Sequence, residues 1–125
     1  MITLKTLPQA TAQEVFDQIV QHLLTQLVPA QTNTTGVCRY RIEKQSGQIL
    51  KCAAGCLIAE DEYKRKFEGD SWDHLVNCGL VPDTHKDLIT SLQKMHDTCL
   101  VSEWPERLRQ LAADYDLQYN PPQPS

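Results

Sequence analysis

Residues 37–58 constrain the fold more than any other stretch: V-C-R-Y-R-I, a polar K-Q-S-G turn, then Q-I-L-K-C-A-A-G-C-L-I. The first run alternates. Cys38, Tyr40 and Ile42 share one face while Val37, Arg39 and Arg41 share the other, the period of a half-buried strand. Residues 44–47 are turn chemistry. Residues 48–52 read as the return strand, with Leu50 and Cys52 inward and Lys51 outward. A two-stranded hairpin is marginal alone and demands a helix against its apolar face. Beyond it Gly55 stands among alanines and cysteines, which predicts either the close approach of another backbone or a turn with positive φ.

The helix that covers the hairpin is written upstream. Thr11 and Glu14 make a T-x-x-E capping box. Val15, Phe16, Ile19, Val20, Leu23, Leu24 and Leu27 follow at helical spacing, and Pro29 ends the run. Residues 30–36 are a polar loop. Downstream, residues 60–67 read as a short charged helix ending at Gly69, with the acidic Glu60-Asp61-Glu62 in its first turn. Asp70 or Ser71 caps the next helix, which turns Trp72, Leu75 and Val76 inward. Asp83 caps a helix running through His96, with Leu88, Ile89, Leu92 and Met95 as its apolar stripe. Ser102 caps the last helix, where Pro105 sits in the first turn and Trp104, Leu108, Leu111, Ala112 and Tyr115 form the buried side.

The expectation is therefore an α+β domain: four to five helices packed around a small antiparallel hairpin or three-stranded sheet. Residues 1–117 form the single domain and residues 118–125 a flexible Pro-rich tail. At 125 residues such a chain buries a real core without staples. A net charge of −4 opposes bulk nucleic-acid binding, which needs a dense field of Lys and Arg. No apolar run reaches the ~20 residues of a membrane span. The amino terminus, M-I-T-L-K-T-L-P, lacks the pattern of a secretory leader, so a reducing cytosol is expected. The odd count of five cysteines fits free thiols there.

Three groupings carry candidate chemistry. Cys52 and Cys56 are four residues apart, and Cys38 on the facing strand could approach them to make a thiolate metal site. Buried cysteine more often behaves as a small hydrophobe, and that reading is preferred. If those thiols instead gather round an ion, or line an open cleft beside an imidazole, the preference fails. Nucleophilic catalysis by cysteine needs a histidine base. His22, His74, His85 and His96 all lie within helical patterns rather than catalytic signatures, and His96 with Asp97 reads as a helix end favoured by the dipole. Finally, Arg39, Arg41 and Lys51 point from the outer hairpin face. With Lys44, Lys64, Arg65 and Lys66 they form a candidate basic patch for a phosphate or an acidic partner, unless Glu43, Glu60, Asp61 and Glu62 neutralise it. No P-loop, dinucleotide fingerprint, zinc-protease motif, nucleophile elbow or calcium loop is written in the chain.

C-R-Y-R, K-C-A-A-G-C-L-I, E-D-E-Y, E-G, the later L-x-x-x-H-D of residues 92–97, and a Trp opening the final helix together resemble small uncharacterised proteins of tailed bacteriophages and prophages. The likeness runs from the first helix to about Leu117. It departs in the longer hairpin turn, E-K-Q-S-G-Q, and in Ala59, where a proline commonly follows the L-I pair. The resemblance implies a bacterial cytoplasmic setting and a non-enzymatic accessory protein. Such a protein modulates or inhibits a host system, such as defence, by binding a host protein. It brings no cofactor and no catalytic residue. The alternatives are a binder of a small anionic ligand such as a nucleotide, using the same arginines and the backbone N–H groups near Gly55, and a metal- or thiol-dependent enzyme built on Cys38, Cys52 and Cys56. Oligomeric state is not legible.

Overall fold

The computed structural model describes residues 1–32 and 38–122. Val37, assigned above to the first strand, and most of the polar loop before it lie outside the described residues. Four helices surround one hairpin: α1 (Ala12–Gln26), β1 (Arg41–Glu43), β2 (Ile49–Lys51), α2 (Trp72–Asn77), α3 (Lys86–Thr98) and α4 (Trp104–Asp114). This is the expected α+β arrangement, and the described residues hold two strands, not three. Among the described residues no helix is long and apolar enough to cross a membrane.

α1 begins as its capping box dictates. Thr11 Oγ1 accepts the Glu14 amide at 3.1 Å and Glu14 Oε1 accepts the Thr11 amide at 2.8 Å. Its buried stripe of Val15, Phe16, Ile19, Val20 and Leu23 meets the 3₁₀ turn Gly55–Leu57, α3 and α4. α3 packs on all three other helices and supplies Leu88, Ile89, Leu92 and Met95 to the common core. Trp104 opens α4 fully buried, and Pro105 follows in the first turn, where a missing N–H costs nothing.

The hairpin pairs Arg41 with Lys51, Ile42 with Leu50 and Glu43 with Ile49. Each edge of this short sheet is covered at its Arg41–Lys51 end by a side chain that imitates a further strand. On the β2 side Gln26 accepts the Lys51 amide at 3.0 Å and donates to the Lys51 carbonyl at 2.9 Å. On the β1 side the Glu68 carboxylate accepts the amides of Tyr40 at 3.0 Å and Arg41 at 3.3 Å. Unpaired strand edges are templates for unwanted pairing, and one residue blunts each edge at this end of the ladder. Gly55 answers the first of the two sequence alternatives. Its Cα packs against the Tyr40 carbonyl so closely that any Cβ would collide with that backbone.

Four sequence expectations are corrected. The first strand starts at Arg41, and Cys38 instead forms an isolated antiparallel bridge with Gln31. Residues 60–67 are not an α-helix but turns ending in the 3₁₀ turn Arg65–Phe67, with Lys64 extended at φ −131°. The cause is Glu62, whose carboxylate folds back to accept the amides of Ala59, Leu4 and Lys5 at 2.9, 2.9 and 3.0 Å. Asp83 does not cap α3. His85 stands at that position in a left-handed conformation, and its Nε2 donates to the Ala10 carbonyl at 2.7 Å. Ser102 does not cap α4 either. It lies inside the 3₁₀ turn Val101–Glu103, whose Glu103 accepts the Leu100 amide at 2.8 Å. Ser71, by contrast, caps α2 through the His74 amide at 3.1 Å. Beyond α4, Gln118 exchanges two hydrogen bonds with Gln13, and the Asn120 carbonyl accepts from Gln21.

Candidate functional site

The outer hairpin face brings Arg41 and Lys51 together as cross-strand partners, and Glu60 claims both. Arg41 grips Glu60 through Nε and a terminal nitrogen at 3.0–3.1 Å and reaches Glu43 at 3.2 Å. Lys51 Nζ lies 3.3 Å from the same carboxylate and donates to the Ile58 carbonyl at 3.0 Å. The hydrogen bond from Arg41 holds Glu60 below the usual carboxylate range. Arg39 alone of the three is exposed and makes no ion pair among the described residues. The bidentate fork that would hold an external phosphate is occupied from within. The amide of Gly55 is buried and donates to Cys52 Sγ at 3.3 Å, so it offers nothing to a ligand.

The three sequence-nominated thiols do not converge. Cys52 is fully buried, and desolvation drives its thiol well above the ordinary value. Cys56 donates to the Ala53 carbonyl at 3.1 Å and is pushed up to about 12 by burial. Both act as packing groups. Cys38 lies elsewhere. Its sulfur, one nitrogen of His96 and a carboxylate oxygen of Asp97 all sit within 4.8 Å of one another. Cys38 and His96 are far apart in the sequence, and nothing local gave a reason to join them.

Cys38 and Asp97 of this trio line a cleft of about 440 Å³ between segment 38–40, the turn 69–72 and α3, while His96 lies buried behind them. Cys38, Tyr40, Trp72, Thr90, Lys94 and Asp97 are among its walls. The cleft therefore holds a thiol near an imidazole, the circumstance stated above as adverse to a purely structural reading. The bonding pattern decides what the group can do. His96 is buried and stacks on Trp104 at 5.5 Å. Its Nε2 accepts the Ala30 amide at 3.1 Å, which places the ring proton on Nδ1, bonded to Asp97 Oδ1 at 2.8 Å. Neither nitrogen keeps a free lone pair for the proton of Cys38. Burial, together with Asp97, raises the Cys38 thiol above its ordinary value, partly offset by a 3.4 Å hydrogen bond from Gln31. A nucleophilic thiolate needs the opposite shift.

The same tautomer argues against a metal ion at this place. Coordination through Nδ1 requires the proton on Nε2, where it would face the Ala30 N–H head-on. The other histidines are also committed. His22 bonds the Lys51 carbonyl at 2.7 Å and His85 bonds Ala10. His74 is exposed on α2 with Cys78 Sγ at 3.4 Å and Asp70 at 3.9 Å, a surface trio set apart from the cleft's thiol.

Two residues that line the cleft carry buried polar atoms that stand out. Trp72 Nε1 and Thr90 Oγ1 are inaccessible and have no hydrogen-bond partner. Trp104 Nε1 shares that state but belongs to the closed core. Native proteins rarely leave buried donors unmatched. Tyr40 and Trp72 form a tilted aromatic pair with centroids 6.4 Å apart, and Tyr40 is fixed by its hydroxyl, which donates to the Asp70 carbonyl.

No protein-family model, no curated protein and no solved structure matches this chain.

Proposed function

We propose that this protein acts by binding and not by catalysis, as a small accessory protein of phage or prophage type that engages a host protein in the bacterial cytoplasm. The setting and the class of partner rest on the sequence resemblance. The observation that carries the non-catalytic part is the bonding of His96, which leaves Cys38 without a base.

The surface that best supports a partner is the junction of α1 and β2, and not the self-neutralised arginine face. Leu27 ends α1 in a left-handed conformation at φ 54° and is 54% exposed. That conformation costs a non-glycine residue roughly 1–2 kcal/mol, and strain of this kind concentrates at functional surfaces. Val28 and Ile49 are also exposed there. Along the same edge Lys51 is masked by Gln26 and His22, whereas the outward Ile49 N–H and C=O, given the alternation of the ladder, have no partner among the described residues.

Leu27→Gly tests this reading in an unusual direction. Glycine suits φ 54°, so stability should hold or rise by up to about 1 kcal/mol, while capture of a host protein by the tagged chain from bacterial lysate should be lost. Undiminished capture by the variant removes this surface from consideration. A second reading, thiol-dependent chemistry, is favoured by the position of Cys38 in the cleft. Alkylation of Cys38 no faster than that of an exposed model thiol argues against it, and acceleration would favour it.

A further inference from the structure

The outward edge of β2 carries a backbone pattern with a definite complement. The Lys44 amide donates to the Gln48 carbonyl at 2.8 Å, so residues 44 and 48 face each other as a hydrogen-bonded pair. The alternation of an antiparallel ladder then makes Ile42 and Leu50 the next bonded pair, and turns the N–H and C=O groups of Ile49 and Lys51 outward. Two residues at i and i+2 therefore present four strand-type hydrogen-bonding groups on one edge. Those of Ile49 have no partner among the described residues. Those of Lys51 are met by Gln26, which accepts from the amide at 3.0 Å and donates to the carbonyl at 2.9 Å. A carboxamide has the donor and acceptor of a peptide group. Gln26 thus fills the place of one residue of a neighbouring strand.

Room for more of such a strand lies alongside. A groove of about 810 Å³ runs between Asp17, Gln21 and Thr25, which recur along one face of α1, and Gln48 and Ile49. Its side chains are carboxamides, a hydroxyl, an imidazole and apolar groups, with Asp17 the one carboxylate and no Lys or Arg. A polypeptide backbone, neutral and alternating donor with acceptor, matches these walls better than an anion does. The Ile49 side chain is itself exposed beside the groove and lacks the apolar cross-strand neighbour that a further strand would supply.

Gln26 is placed to give way. It is the last residue of α1, only half-buried, and directly precedes the left-handed Leu27. An incoming strand residue would restore both bonds to Lys51 that Gln26 surrenders, and would add those that Ile49 lacks. Building on the α1–β2 junction as the partner surface, we propose that the β2 edge takes up an extended segment of the partner polypeptide as a third strand, displacing Gln26 as it enters. Recognition is then chiefly of main chain, with an apolar or β-branched side chain beside Ile49.

A library of capped, randomised heptapeptides is screened against the full chain, and its strongest binder is titrated into the ¹⁵N-labelled protein. Saturable shifts are expected at the Ile49 amide and at the Gln26 side-chain amide. N-methylation of alternate peptide residues should weaken binding by about tenfold or more for one parity, which loses strand hydrogen bonds, and little for the other. Gln26→Ala removes the competitor and should tighten binding by about threefold or more, a direction that a merely structural glutamine would not give. Three results overturn the proposal: no peptide that shifts Ile49 at millimolar concentration, binding that neither set of N-methyl groups weakens, or the same Ile49 shift on concentrating the chain alone, which would make a second copy the occupant. If the peptides fail while Leu27→Gly abolishes capture of a host protein, the junction stands as the partner surface and strand addition falls. If a peptide binds in the expected manner while Leu27→Gly leaves capture intact, strand addition stands and the host protein docks elsewhere.

Discussion

Gly55→Ala should be among the most damaging single-atom-scale changes in this protein, and the structure says why. An added Cβ would lie 3.0 Å from the Tyr40 carbonyl carbon and 3.2 Å from its Cα, and would overlap the Tyr40 oxygen outright. Carbon atoms in comfortable contact sit about 3.5–4.0 Å apart. Neither backbone is free to retreat. Tyr40 is held by Glu68 at its amide and by Asp70 at its hydroxyl, and its ring lies against Trp72. Gly55 is held by Cys52 Sγ and by the 3₁₀ turn, whose Ile58 amide bonds the Gly55 carbonyl at 3.0 Å. Overpacking with backbone displacement costs about 1–3 kcal/mol, and the loss of one or two of these hydrogen bonds adds about 1 kcal/mol each. A total near 3–4 kcal/mol follows, or a fall in melting temperature of about 10–20 °C for a chain of this size. Gly47→Ala is the control. Gly47 has φ 91° with nothing within 4 Å of an added Cβ, so only the left-handed backbone penalty of about 1–2 kcal/mol applies. Thermal and urea unfolding followed by circular dichroism measure both. If Gly55→Ala costs no more than Gly47→Ala, the close approach of segments 40 and 55 is wrong.

Glu62→Ala removes the acceptor shared by the amides of Leu4, Lys5 and Ala59. Because the Lys5 amide can turn to water, the loss should be about 2–3 kcal/mol, and faster hydrogen exchange at Leu4 and Ala59 would report it. Burial holds His22 below its ordinary value of 6.5, with the charge of Lys51 acting in the same direction. A base whose folded pKa is depressed keeps its full stabilising effect above the unfolded pKa and loses it as pH falls from there toward the folded value. Unfolding free energy should therefore decline below pH 6.5, and His22→Gln should flatten part of that decline. An identical slope in the variant would assign the effect elsewhere. Equimolar zinc should leave the melting temperature unchanged, whereas a stabilisation abolished by Cys38→Ser would show that the Ala30 amide yields to a metal-bound His96.

Features written in neighbouring residues were legible. The Thr11–Glu14 box, the α1 stripe from Val15 to Leu23 (Leu27, expected on the same face, is exposed beyond the helix end), the turn at residues 44–47 and the Trp104-Pro105 entry into α4 each follow from contacts within a few positions. Features that depend on a distant partner were not. The charged run 60–67 has helical composition, but Glu62 spends its carboxylate on amides 57 and 58 residues upstream. Asp83 looks like a cap, yet His85 takes the position because its imidazole is tethered 75 residues away at Ala10. The site followed the same division. Glu43 and Glu60 were visible as possible answers to Arg41, and the structure pairs both with it. Cys38 and His96 were assigned to separate roles because nothing local joins them. One signal was available: His96 falls on the same helical face as Leu88, Ile89, Leu92 and Met95, the face that the core buries. A histidine there points inward, and its partners had to come from outside its helix.

The tautomer of His96 tests the central claim most directly. Long-range ¹H–¹⁵N correlation of the imidazole at neutral pH should show the proton on Nδ1, with Nε2 in the unprotonated, pyridine-like range, as the bonds to Asp97 and Ala30 require. A proton found on Nε2 would free Nδ1 toward Cys38 and Asp97, and the account of Cys38 as a thiol without a base would be contradicted.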